Sequence, residues 1–268
     1  MSTKVDPNGR RWVRVEVETP GSVEELWQAI STDAGLSAWF TRSIFEIGAD
    51  GQPERLIVHF GPGISSAATL TEWDPPRGFS VTSDEFIPGG PEVATDWKIE
   101  EGTGNTCLLS VEHSLFVDND EYDSHIEGTE AGWPAFFRIL QIYMTHHRGQ
   151  PCTLLELMGA TSEGSQAWEK TAAALGFSAA ELGERFAAPA GGLNFAGVVD
   201  TLPDETEIIL HIDKPTSGVA HLFVWPLDER ILLSLRFYLY GEDAAEVVAG
   251  EEPKWRSWME EHFPYPQD

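Results

Sequence analysis

In Trp12-Val13-Arg14-Val15-Glu16-Val17-Glu18-Thr19-Pro20-Gly21-Ser22-Val23-Glu24-Glu25-Leu26-Trp27 the hydrophobic period changes from two to about 3.6 within a few residues. Val13, Val15 and Val17 share one face of an extended chain, while Arg14, Glu16 and Glu18 share the other. That alternation predicts a strand in a sheet wet on one side. Thr19-Pro20-Gly21 breaks the strand. Ser22 and Glu25 then have capping-box spacing, with hydroxyl and carboxylate each able to satisfy a free backbone N–H at a helix start. Val23, Leu26, Trp27 and Ile30 fall on one helical face. The segment closes on Trp39-Phe40, which are expected to pack rather than react.

Beyond Phe40 the chain reads as short strands punctuated by Gly and Pro. Strands are expected at 43–47, 55–60, 66–73, 79–86, 95–100 and 106–116. Asp50-Gly51, Gly61-Pro62-Gly63, Asp74-Pro75-Pro76-Arg77-Gly78, Gly89-Gly90-Pro91 and Gly102-Thr103-Gly104-Asn105 mark the turns. Short connections favour neighbouring antiparallel pairs, so the series predicts a meander. From about Gly128 to Arg148 the period is helical, with Trp133, Phe136, Phe137, Leu140 and Met144 on a broad face and Pro134 in the first turn. Gly149 and Pro151 stop it.

A second unit is expected from about Thr161. A short helix runs through Ser165–Leu175, and Ser178 with Glu181 caps another that ends near Phe186. The loop 187–192 follows, then strands at 206–213, 218–225 and 231–240. A last helix places Trp255, Trp258, Met259 and His262 on one face. No internal sequence repeat is evident, although strands followed by a Trp-bearing helix occur in both halves.

Composition narrows the partners. Of 268 residues, 17 are Lys or Arg and 44 are Asp or Glu, a formal charge of −27. Such a surface repels nucleic-acid phosphates and anionic membranes, so neither is expected as a partner. The hydrophobic content of 41% and 10 Trp support a packed core. Two cysteines, Cys107 and Cys152, are too few for a disulfide scaffold. No segment resembles a signal peptide or approaches ~20 apolar residues, which predicts a soluble cytoplasmic protein.

Several segments together resemble one family. They are Pro20-Gly21-Ser22-Val23-Glu24-Glu25-Leu26-Trp27 with Trp39-Phe40, and Leu70-Thr71-Glu72-Trp73-Asp74-Pro75-Pro76-Arg77. Trp97-Lys98-Ile99-Glu100, the strand 106–116 and Gly132-Trp133 complete the set. In order and spacing they resemble the START-like (SRPBCC) superfamily, within it the group related to the activator of heat-shock-protein-90 ATPase. The resemblance covers about residues 10–158. It implies an α+β helix-grip fold, a curved antiparallel sheet around a long C-terminal helix with a cavity between them. Residues 161–268 would form a smaller α+β domain of no assigned family. Eukaryotic activators carry a chaperone-binding domain ahead of the grip domain, whereas here the first strand opens near Arg11. The co-chaperone role is therefore not carried over.

Alternation places Cys107, Leu109, Val111, His113 and Leu115 on one apolar face of the strand 106–116. His113 is the one titratable member: either a ligand anchor or general base, or a core histidine bonded to backbone. Trp97, Leu109, Val111, His113, Trp133, Phe137, Leu140 and Tyr143 are the expected cavity lining, with His113 and the Tyr143 hydroxyl orienting a polar end. His146 and His147 point about 100° apart on a helix and with Cys152 do not make a metal site. Asp118, Asp120, Glu121 and Asp123 lack the order of an EF-hand loop. Arg138 either reaches an anionic ligand group or sits on the polar face. No motif implies a cofactor.

These readings predict a protein that binds a small hydrophobic molecule. The alternatives are a cyclase- or dehydratase-type enzyme using His113 as acid/base, and a chaperone-assisting interaction module. A homodimer or a protein partner stays open.

Overall fold

The computed structural model describes residues 3–61, 64–83, 90–116, 122–161, 166–178, 180–189, 192–204, 207–227 and 230–264. The chain divides into two compact units, Met1–Gly149 and Gln150–Asp268.

In the first unit, β1 (Lys4–Val5) and β2 (Arg10–Pro20) lead into α1 (Val23–Ser31) and α2 (Asp33–Ser37). The meander β3 (Arg42–Ile47), β4 (Pro53–Gly61), β5 (Ile64–Asp74), β6 (Gly78–Ser83), β7 (Val93–Glu101) and β8 (Thr106–Phe116) follows, then α3 (Asp123–Ile142). The eight strands run in the order β1-β2-β8-β7-β6-β5-β4-β3. The first long strand pairs with the last, from Arg10 opposite Phe116 to Pro20 opposite Thr106. Helix α3 packs against β2.

Local chemistry explains these elements. The expected capping box is present: Glu25 N donates to Ser22 Oγ at 3.3 Å, and Ser22 N donates to Glu25 Oε2 at 2.8 Å. Leu26 and Ile30 of α1 are fully buried, and Trp27 meets Trp73 edge-on at 4.9 Å. Trp39 is buried too, its indole N–H donating to the Ala29 carbonyl at 2.9 Å. Gly104 and Asn105 both take positive φ, 69° and 64°, in the turn joining β7 to β8. The outer edge of β3 is capped by α2: Ser43 N donates to Ser37 Oγ at 2.9 Å and Phe45 N to Asp33 Oδ1 at 2.7 Å. Side chains thus occupy an edge that would otherwise template another strand.

Helix α3 differs from its expected form. It starts at Asp123, not near Gly128, so Pro134 lies inside the helix rather than in its first turn. After Ile142 it widens into a π-helical turn, Tyr143–His147. Asp118, Asp120 and Glu121 lie outside the described residues, as does the side chain of Asp123.

The second unit contains β9 (Cys152–Thr161), α4 (Gln166–Leu175), β10 (Arg185–Ala187), β11 (Ala196–Asp204), β12 (Glu207–Lys214), β13 (Gly218–Leu227), β14 (Arg230–Tyr240) and α5 (Ala244–His262). Its sheet order is β10-β11-β12-β13-β14-β9. The division falls earlier than the expected 158/161, because residues 152–161 pair with β14 along their whole length. The helix expected between Ser178 and Phe186 is replaced by turns and β10. Gly176, at φ 83°, ends α4, and Phe186 pairs with Gly197 of β11. Strand β11 escaped the reading because Ala196-Gly197 and Pro203 are poor strand formers; burial of Val199 in the core outweighs them.

Here too the first strand pairs with the last, a helix follows the first strand, and a meander ends in a closing helix. The echo between the halves is therefore one of topology. In this unit Leu155, Leu210, Leu222, Leu235 and Phe237 of the sheet pack with Leu175 of α4 and Trp255 and Met259 of α5.

The other face of the second sheet carries buried charge. Arg236 Nε donates to Glu156 Oε1 at 3.1 Å, and its guanidinium lies 5.3 Å from the Phe223 ring centre. The His221 ring stacks on Phe223 at 4.7 Å and meets Glu207 Oε1 through Nε2 at 2.6 Å. Burial pushes His221 below the ordinary imidazole value, against the pull of the Glu207 carboxylate.

Candidate functional site

Strand pairing sets Thr95 of β7 opposite His113 of β8, and α3 brings Trp133 over them. The Trp133 indole N–H donates to His113 Nε2 at 2.8 Å, and His113 Nδ1 lies 2.9 Å from Thr95 Oγ1. An indole N–H can only donate, so Nε2 must accept and the imidazole proton sits on Nδ1, donating to Thr95. His113 is 5% exposed, and burial pushes its pKa down to about 4 while Asp96 opposes the shift. At neutral pH the ring is uncharged and its Nε2 lone pair is committed to Trp133.

Beside this chain lies a pocket of about 230 Å³ lined by Phe40, Phe60, His113, Gly128, Gly132, Trp133 and Phe136. Phe40 stacks on Trp133 with centroids 5.2 Å apart and planes 4° from parallel. Phe136 meets Phe40 edge-on at 4.6 Å, and Phe60 does so at 6.2 Å. On α3, a Cβ added at Gly128 or Gly132 would meet no atom within 4 Å. The helix surface is therefore open at both glycines.

Of the expected lining, His113 and Trp133 border this pocket. Trp97, Leu109, Val111, Phe137, Leu140 and Tyr143 are buried but do not border it. Trp97 stacks on Phe79 at 5.5 Å and meets Trp133 edge-on at 5.2 Å. The Tyr143 hydroxyl accepts from Gly149 N at 3.3 Å, just past the end of the helix, and Tyr143 does not border this pocket. Arg138 is exposed and donates to Gln141 at 3.4 Å, which places it on the polar face. His146 is exposed while the neighbouring His147 is buried. Among the described residues no group of three His, Cys, Asp or Glu is placed to hold a metal ion. No helix of the described residues is long and apolar enough to cross a membrane.

Phe40, Phe60, Phe136 and the two glycines were not in the expected lining. The four-residue spacing of Gly128 and Gly132 was the available signal, since it sets both on one helix face.

The first unit thus has the helix-grip architecture of the START-like superfamily. Residues 20–145 match the family model described as Activator of Hsp90 ATPase homolog 1-like protein. Solved structures resemble parts or all of the chain at low identity. DynU16, from the dynemicin biosynthetic locus, is 18% identical, with 84% of this chain and 86% of that one covered at a TM-score of 0.42. BexL, a di-domain ARO/CYC from the BE-7585A biosynthetic pathway, is 11% identical, with 96% and 100% covered at 0.47. The Aha1 dimer from Colwellia psychrerythraea is 19% identical, with 52% and 98% covered at 0.38. Among curated proteins, none matches the chain.

Proposed function

We propose that the first unit binds a small hydrophobic molecule in the pocket beside α3. The observation that carries this reading is the lining itself: aromatic rings and bare helix backbone around about 230 Å³. Apolar concave sites with few polar groups are the usual form of small-molecule pockets, and this volume sits just below the ~300–1,000 Å³ typical of them. The polar atoms at its wall already satisfy one another through Trp133, His113 and Thr95, so an apolar occupant leaves none of these bonds broken. The same bonds count against His113 as an acid/base. A proton acceptor needs a lone pair facing substrate, and the Nε2 lone pair faces an indole N–H.

Gly132→Ala tests the reading because it separates stability from binding. Glycine inside a helix costs about 0.5–1 kcal/mol relative to alanine, and the new methyl meets no atom. The variant is expected to gain roughly that much stability in urea unfolding. Its methyl narrows the pocket, so affinity for the apolar probes toluene and hexanol should fall on the order of tenfold by calorimetry. Undiminished binding in the variant, or no probe binding by the wild type, would remove the proposal.

A further inference from the structure

We infer that the pocket selects a flat, uncharged ring system of one or two fused rings, laid against the α3 backbone at Gly128 and Gly132. This rests on the binding role proposed above and narrows it to a ligand class. Among the described residues, the lining consists of Phe40, Phe60, Trp133, Phe136, the His113 imidazole and two glycines. It has no aliphatic side chain, no carboxylate, no ammonium and no guanidinium. A general grease pocket would show Leu, Ile, Val or Met, which adapt to puckered or branched shapes. Rings instead present flat faces and positive edges, which favour offset-stacked or edge-to-face partners.

The glycines add a flat floor. Gly128 and Gly132 lie one helical turn apart, and open space stands where each Cβ would be. Glycine is used where a ligand must approach backbone closely. Two of them at this spacing cost helix stability and leave a smooth strip of backbone, which suits a planar surface better than a three-dimensional one. The rigid Trp133–His113–Thr95 chain and the Phe40–Trp133 stack hold the wall rings in place. A wall fixed this way rejects shapes that would need it to splay. A charged ligand would lose its hydration without gaining an opposite charge. The volume of about 230 Å³ limits the guest to one or two rings.

Calorimetric titration of the full chain with three probes built on one fused bicyclic ring frame tests this. They are β-naphthol (flat, neutral), decahydro-β-naphthol (puckered, neutral) and β-naphthoate (flat, anionic). β-Naphthol should bind about tenfold more tightly than either of the others, the factor that ring–ring contact adds beyond buried area. Its binding should vanish in Gly132→Leu, whose side chain occupies the strip. If the decahydro compound binds as tightly as β-naphthol, the flat-ring inference is overturned while the apolar-binding reading stands. Equal binding of β-naphthoate overturns the requirement for an uncharged guest. β-Naphthol binding that survives unchanged in Gly132→Leu places the ligand elsewhere and overturns the inference. If no apolar probe binds, toluene and hexanol included, the underlying reading falls with it.

Discussion

Replacing Arg236 with alanine is expected to destabilise the second unit by about 3 kcal/mol, the lower end of what breaking a buried ion pair costs. The Arg236 side chain is 5% exposed and that of its partner Glu156 is 18% exposed. Truncation leaves the Glu156 carboxylate largely out of water with its Arg236 hydrogen bond gone, and it strips the guanidinium from the Phe223 ring. The residual exposure of Glu156 is why the lower end applies. A paired replacement behaves differently, because desolvating two charges offsets much of their attraction. Glu156→Met with Arg236→Met should lie closer to wild type than Arg236→Ala does. Urea unfolding of the full chain measures both, with separate transitions resolved if the two units unfold independently. An Arg236→Ala variant within 0.5 kcal/mol of wild type would show that the pair carries little of the sheet's stability.

The second large effect is acid sensitivity arising from His113. In the unfolded chain its imidazole takes up a proton near pH 6.5, whereas in the folded protein burial delays this to about 4. Between those values the unfolded state binds more protons, so stability is lost as pH falls from about 6.5 to about 4. At about 1.4 kcal/mol per pK unit, the fall from 6.5 to about 4 corresponds to something on the order of 3 to 4 kcal/mol. His113→Gln keeps an acceptor for Trp133 and a donor for Thr95 but does not titrate. Its unfolding free energy should fall less steeply over that window, measured by urea melts at several pH values. His221 shifts in the same direction and contributes to both proteins alike, so the difference between them isolates His113. Identical slopes would mean that His113 is not held neutral by burial.

Much of the architecture was legible where sequence period and burial agree. The Ser22–Glu25 box, the α1 face and the inward row Cys107, Leu109, Val111, His113 and Leu115 are local patterns, and all appear as read. Strand β9 was missed because Cys152–Thr161 pairs with β14, about 80 residues on, and no short-range signal marks such a partner. Strand β10 was hidden by a Ser178–Glu181 spacing that mimics a helix cap; the positive-φ glycines at 176 and 183 decide otherwise.

The site was less legible than the fold. His113 and Trp133 could be picked out by alternation and helical face, but the hydrogen bond joining them could not. That bond fixes the tautomer and sets the His113 Nε2 lone pair against the Trp133 indole N–H. Phe40, Phe60 and Phe136 come from different parts of the chain, and their meeting depends on side-chain packing across the sheet. Period identifies which residues point inward. It does not say which of them touch each other and which border a space.

Native mass spectrometry of the full chain, purified gently from its own host, tests the binding role most directly. One small uncharged molecule per wild-type chain is expected, absent from the Gly132→Leu variant prepared in the same way. A wild-type chain found at its bare sequence mass, and still bare after incubation with β-naphthol, would contradict a ligand-binding pocket.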